Sequence, residues 1–216
     1  MFISHKYNCI FIHIPKTGGS SVHQTLIKKL QPEHVQSGHY KLIVARKHLK
    51  AKMLKPYINK YFTFCFVRNP WSRFISAYNY LLNGGSDNEH PITGFDKRDR
   101  DKFISPHKTF NDFILDNSCS GKIYTDLMTQ QHFMPQYKYI LDSNDNINID
   151  FIGKFENLHE DFNIICNRIG IKTPELQHLN NRPHDQYQLY YTDKTADIIY
   201  NTYKEDIDYF DYSFNS

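Results

Sequence analysis

The chain is poor in the features that would place it in several large protein classes. Only four of its 216 residues are cysteine, and Cys9, Cys65, Cys119 and Cys166 form neither a CxxC pair nor a dense framework. That spacing excludes a disulfide scaffold and gives no zinc-ligand pattern, so reduced thiols are expected. The longest apolar stretch near the N-terminus, 9–14, stops at Pro15 and is too short to span a bilayer or to act as a secretory signal. No other segment is more apolar, so the expectation is a soluble, cytoplasmic protein without a transmembrane segment. Charge of one sign is also lacking: 26 Lys and Arg against 23 Asp and Glu leave a formal +3. This balance argues against a nucleic-acid-binding surface while leaving room for one local basic pocket. What the chain does have is apolar and aromatic material, 40% and 15% of residues, with 16 Tyr and 16 Phe, which is too rich for a disordered chain.

The segment 9–14 (CIFIHI) reads as a buried strand that ends in a tight turn at Pro15 and Gly18-Gly19. A helix capped by Ser20 or Ser21 should follow, with Val22, Leu26 and Leu30 at i, i+4, i+8 forming its apolar stripe. A second helix is expected over 44–54. The segment 62–67 (FTFCFV) is apolar throughout, as a parallel strand covered on both faces would be. Arg68-Asn69-Pro70 closes it, with Asn69 as N-cap and Pro70 preset for the first helical position of a helix running to residue 82. Further expectations are a helix over 109–116, strands over 137–141 and 150–154, a helix over 158–169 ending at Gly170, and a last helix over 193–203. Strands alternating with helices give an α/β class, in one domain over 1–216. Residues 83–106 are charge-dense and lack a core pattern, reading either as a mobile substrate-facing insertion or as disorder.

Two constellations carry the chemistry. In Pro15-Lys16-Thr17-Gly18-Gly19-Ser20-Ser21, a glycine turn between strand and helix aims backbone N–H groups and the positive helix end at one spot. Lys16 adds a point charge, and Thr17, Ser20 and Ser21 add short hydroxyls. Each charge-assisted bond is worth roughly 1.5–3 kcal/mol, so several hold a phosphate or sulfate; the plainer reading is a tight turn with a solvated lysine. A nucleotide-kinase loop requires G-x-x-x-x-G-K-[ST], whereas here the lysine precedes the glycines and no magnesium ligand follows. In the second constellation Arg68 sits at a strand's carboxyl end, where open α/β sheets bind ligands, and Ser76 lies in the next helix on one face with Arg73. The alternatives are a structural salt bridge for Arg68 and an ordinary hydroxyl for Ser76.

Together, I-P-K-T-G-G-S-S and F-V-R-N-P-W-S-R-F-I-S-A-Y resemble the sulfotransferases that use 3′-phosphoadenosine 5′-phosphosulfate (PAPS). Q-H-F-M-P-Q (131–136), D-F-I-G-K-F-E-N-L-H-E-D-F (150–162), H-L-N-N-R (178–182) and the ending Y-K-E-D-I-D-Y-F-D-Y point to the carbohydrate branch, which includes the chondroitin, HNK-1 and heparan sulfate 2-O-sulfotransferases and bacterial relatives. Ser20 stands where the family more often has Thr, and Phe210-Asp211-Tyr212 where it commonly has F-G-Y. The Golgi members' anchor and stem have no counterpart in this sequence, which suits a soluble bacterial-type form.

The resemblance implies a P-loop-type three-layer fold with a central parallel sheet flanked by helices, PAPS as the co-substrate, with no metal, and a carbohydrate hydroxyl as the acceptor. It gives Lys16, Thr17, Gly18, Gly19, Ser20 and Ser21 to the 5′-phosphosulfate, Arg68 and Ser76 to the 3′-phosphate, and Arg182, in a loop over the nucleotide, to the same side. Lys16 would also stabilise the leaving bisphosphate. His39, in Ser37-Gly38-His39-Tyr40 after the first helix, falls where the family places its catalytic base, and histidine has the fitting unperturbed pKa. His132 reads either as an acceptor-site residue or as packing, Trp71 as an adenine platform or as packing, and His13 as a core residue. The competing classes are a kinase-like phosphotransferase, which would need ATP and Mg²⁺, and a catalytically inactive nucleotide- or glycan-binding module.

Overall fold

The computed structural model describes residues 1–30, 35–37, 57, 60–83, 94–123, 126–141, 146–176 and 186–216. The helix expected over 44–54, His39, Asn181 and Arg182 lie outside the described residues. Along the chain run β1 (Phe2–Ser4), β2 (Cys9–Ile12), α1 (Gly19–Leu30), β3 (Val35–Ser37), β4 (Phe62–Val67), α2 (Pro70–Leu82), α3 (Gly94–Asp99) and α4 (Phe110–Asp116). The two-residue strands β5 (Ser118–Cys119) and β6 (Lys122–Ile123), then β7 (Phe151–Lys154), α5 (Leu158–Arg168), α6 (Asp193–Thr202) and α7 (Lys204–Phe210) complete the described strands and α-helices, with short 3₁₀ and π turns between them. The chain divides into two compact units, Met1–Arg68 with Gln136–Arg182, and Asn69–Pro135 with Pro183–Ser216.

The first unit is built on a five-stranded sheet in the order β3-β1-β2-β4-β7. β2, β4 and β7 are parallel, with Ile12 opposite Cys65 and Val67 opposite Lys154. The sheet is nevertheless mixed, because β1 runs antiparallel to both β2 and β3. β1 escapes the sequence pattern because it is only three residues long and its hairpin turn closes at Asn8, held left-handed at φ 47°. Phe2, Phe11, Phe64 and Phe66 form one cluster with Val22, Leu26 and Leu30 of α1 and Phe162, Ile165 and Cys166 of α5. Ile3, Ile10 and Cys65 alternate with these phenylalanines along the strands and are buried as well. The fold is therefore α/β, with a sheet that is parallel in its three central-to-edge strands and packed by helices.

Local chemistry explains the element ends. The Asp150 carboxylate accepts from both the backbone N–H and the hydroxyl of Thr63 at 2.7 Å, locking β4 to the start of β7. α5 stops in a Schellman turn: Gly170 has φ 75°, Ile171 N–H donates to Cys166 O at 3.0 Å, and Gly170 N–H donates to Asn167 O at 3.2 Å. Where a strand is expected over 137–141, the chain forms a 3₁₀ turn, Gln136–Tyr139. Gln136, Tyr139 and Ile140 are buried, a spacing of i, i+3, i+4 that lies on one face of a helical turn.

In the second unit, Trp71, Phe74, Ala77, Tyr78 and Leu81 of α2 pack with Phe110, Phe113 and Ile114 of α4, Phe133, Ile198 and Ile199 of α6, and Tyr203. Each fully buried aromatic ring contributes about 1.5–3 kcal/mol, and rings such as Phe74 and Phe133, 5.0 Å apart, gain more by their tilted contact. Asn69 caps α2 by accepting from Trp71 N–H at 3.1 Å, and its own amide donates to Ser213 O and Ser216 O. Residues 94–104, in the second half of the charge-dense stretch, are helical and bury Phe103 and Ile104 in this core. The last expected helix ends one residue early at Thr202, and α7 follows after the buried Tyr203.

At the end of α7, Asp211 adopts a left-handed conformation, φ 54° and ψ 62°, in the position where the resemblance has glycine. A side chain there costs about 1–2 kcal/mol. Asp211→Gly is therefore expected to be more stable than Asp211→Ala by about 1 kcal/mol in urea denaturation; equal stabilities would contradict the left-handed cap.

Burial against Phe2 and Phe11 lowers the His23 pKa from 6.5 to about 4. The unfolded chain thus takes up a proton that the folded one refuses. Stability from this group is complete above pH 6.5 and is lost as pH falls toward 4. His23→Gln should flatten that part of the stability-versus-pH curve, measured as the urea midpoint, and an unchanged slope would contradict it.

Candidate active site

Parallel pairing brings the carboxyl ends of β2, β4 and β7 to one edge of the first unit, where open α/β sheets bind ligands. From this edge the chain leaves β2 into a turn that feeds α1. Lys16 has φ 71° and Gly18 φ 74°, flanking Thr17, whose φ is not positive. An alternation of this kind points consecutive peptide N–H groups inward as an anion-binding nest. A non-glycine residue held left-handed costs about 1–2 kcal/mol, and such strain concentrates at ligand-binding positions.

Thr17 is fully buried and its hydroxyl donates to Ile14 O at 2.9 Å, so this hydroxyl braces the turn from within. α1 begins at Gly19, which places Ser20 and Ser21 in its first turn rather than at the cap expected for them. Ser20 is exposed and Ser21 is buried. The first turn of α1 carries no acidic residue, so nothing there offsets the positive end of this twelve-residue helix. Both glycines are fixed by packing. A Cβ on Gly19 would collide with the His13 imidazole, and one on Gly18 would come within 3.0 Å of Phe155 and Leu158.

Arg68 follows β4 directly and is 7% exposed. Its guanidinium lies 4.2 Å over the Phe155 ring, and Nη1 donates to Lys16 O at 3.4 Å. Its backbone N–H donates to Gln136 Oε1, and its carbonyl accepts from Gln136 Nε2, both at 2.9 Å. At the end of β7, the Lys154 N–H donates to Asp161 Oδ2 at 2.6 Å. The structure thus gathers Lys16, Thr17, Gly18, Gly19, Ser20, Ser21 and Arg68 within the first unit. Two residues that contact Arg68, Phe155 and Gln136, carry no expected role in the sequence, although both stand within the motifs 150–162 and 131–136. No local spacing signals that a glutamine amide will reach the backbone of a residue 68 positions earlier.

The other candidates among the described residues belong to the second unit. Ser76 is a buried residue of α2, and Arg73, 1% exposed, donates from Nη2 to Met134 O at 2.9 Å. Trp71 is packed rather than presented to a ligand: it is 3% exposed, and its indole N–H donates to Ala196 O at 3.0 Å. His132 lies 4.8 Å from the Tyr80 ring, with Nε2 at 3.6 Å from Asp96 Oδ1, while Tyr80 donates its hydroxyl to Asp96 Oδ2 at 3.3 Å. None of the four cysteines is joined in a disulfide, and burial pushes the Cys9 thiol up to about 12 and Cys166 up to about 11, far from nucleophilic reactivity. Among the described residues no group of three or more His, Cys, Asp or Glu is placed to hold a metal ion, and no helix is long and apolar enough to cross a membrane.

The chain belongs to the sulfotransferase family, whose profile matches residues 1–213, across both units. Family membership makes it a transferase of sulfuryl groups. A relative described as an uncharacterized protein from Archaeoglobus fulgidus is 27% identical over 140 residues, covering 65% of this chain and 93% of that protein. No solved structure matches.

The contact between Gly19 and His13 makes a direct test of the turn. Gly19→Ala should cost about 1–3 kcal/mol through overpacking, and combining it with His13→Ala should cost less than the sum of the two single changes. Strict additivity in urea denaturation would contradict the close approach.

Proposed function

We propose that this protein transfers the sulfuryl group of PAPS to a hydroxyl of a carbohydrate acceptor. The observation that carries the reading is the juxtaposition, within the first unit, of the left-handed Lys16 turn and the Arg68 guanidinium, whose Nη1 is 3.4 Å from Lys16 O. PAPS carries two separate phosphate groups. A nest at a helix N-terminus suits the 5′-phosphosulfate, and an arginine fork suits the 3′-phosphate.

In the reaction the acceptor oxygen attacks sulfur as the bond from sulfur to the bridging oxygen of the phosphosulfate breaks. The products are a sulfate ester and adenosine 3′,5′-bisphosphate. Lys16 and the turn's N–H groups stabilise the negative charge that develops on the leaving phosphate. His39 takes the proton of the acceptor hydroxyl, an assignment that rests on the family resemblance, as do those of Ser76 and Arg182 to the nucleotide and His132 to the acceptor. Sulfuryl transfer of this kind needs no metal ion. The P-loop-type arrangement around a parallel sheet and the carbohydrate branch are part of the same reading. So is a cytoplasmic setting.

Calorimetric titration with EDTA present tests the co-substrate. Adenosine 3′,5′-bisphosphate is expected to bind in preference to ATP, and Lys16→Ala and Arg68→Ala should each weaken it by about 10- to 100-fold. A preference for ATP with Mg²⁺ would overturn the assignment. With labelled PAPS and a panel of polysaccharides, His39→Ala should lower turnover by about 10²–10⁴-fold while bisphosphate affinity is kept; unchanged turnover would remove His39 from the mechanism.

A further inference from the structure

Arg68 stands one residue beyond the last paired position of β4, Val67 opposite Lys154 on β7. Its strand neighbours have run out, yet the residue is 7% exposed, and buried backbone groups must find partners. Gln136 supplies both. Its amide accepts from the Arg68 N–H and donates to the Arg68 carbonyl at 2.9 Å each, the two-bond pattern of a neighbouring strand reproduced by one side chain. Gln136 is itself fully buried, at the start of a 3₁₀ turn far along the chain, so its amide is held as firmly as the backbone it grips.

With the backbone of Arg68 pinned, its side chain meets the Phe155 ring 4.2 Å beneath the guanidinium and the Lys16 carbonyl 3.4 Å from Nη1. The same Phe155 ring abuts Gly18, where an added Cβ would come within 3.0 Å of Cδ2. One aromatic ring therefore spaces the arginine from the glycine turn. We infer that Gln136 is the positioning residue for Arg68: it sets where the guanidinium meets the second phosphate of the nucleotide and so governs the protein's preference for a 3′-phosphorylated ligand. This inference rests on the PAPS reading of the site.

The test titrates adenosine 3′,5′-bisphosphate and adenosine 5′-monophosphate into the wild-type protein, Gln136→Met, Gln136→Glu, Arg68→Ala and the Gln136→Met/Arg68→Ala double variant. Met keeps the volume of the side chain and removes both hydrogen bonds; Glu keeps the acceptor and removes the donor. A positioning role predicts that Gln136→Met lowers the preference for the bisphosphate by about tenfold while leaving monophosphate affinity in place. Gln136→Glu should lose a smaller share, and in the Arg68→Ala background the Gln136 change should have no further effect on the preference. Equal weakening of both ligands, an unchanged preference, or a second full loss in the Arg68→Ala background would overturn the inference. So would failure of both Gln136 variants to fold where Arg68→Ala folds, since that would make the residue structural only. A wild-type protein with no preference for the bisphosphate would instead overturn the PAPS reading itself, and the inference with it.

Discussion

The site depends on three strands running the same way. Because β2, β4 and β7 are parallel and in register, the turn after β2, Arg68 after β4 and Phe155 after β7 emerge at one edge of the first unit. An antiparallel neighbour at any of these positions would carry its turn to the opposite edge. The Asp150–Thr63 pair, with two bonds of 2.7 Å, fixes the β4–β7 register, and a one-residue slip would turn Phe64 and Phe66 away from α1 and α5. The aromatic core and the chemistry at the edge therefore stand or fall together.

At that edge, backbone geometry helps to hold positive charge in place. The left-handed Lys16 and the helix start at Gly19 are stabilised by packing below them, His13 under Gly19 and Phe155 with Leu158 beside Gly18. Thr17 turns its hydroxyl inward to Ile14 O, offsetting part of the strain at Lys16. Arg68 rests on an aromatic face and meets a carbonyl, the Phe155 ring and Lys16 O. Such a surface favours an anion because its dipoles are already oriented before the ligand arrives.

Much of this was legible in the sequence because it rests on local rules. Pro70 after an Asn cap, the apolar run FTFCFV, the stripe Val22-Leu26-Leu30 and the glycine closing α5 each follow from a few adjacent residues, and each is found. What was not legible depends on distant partners. β1 becomes a strand only by pairing with β2 and β3, and the expected strand over 137–141 becomes a 3₁₀ turn because Gln136 is drawn to Arg68 and Tyr139 is buried. Trp71 could have been a ligand platform on its spacing alone; burial beside Ala196 makes it core. The two glycines were recognisable as a turn, whereas the His13 and Phe155 contacts that require them appear only in three dimensions.

Family membership defines the reaction class, and the geometry of the first unit adds how the Lys16 turn and Arg68 meet at one sheet edge. In the proposed reading, the glycine turn and Arg68 receive the two ends of one doubly phosphorylated nucleotide. A crystal structure of the protein with adenosine 3′,5′-bisphosphate tests it most directly. The account predicts the 5′-phosphate against the N–H groups of the Lys16–Ser20 turn and the 3′-phosphate in contact with the Arg68 guanidinium. A nucleotide bound elsewhere, or held at the turn with Arg68 unengaged, would contradict it.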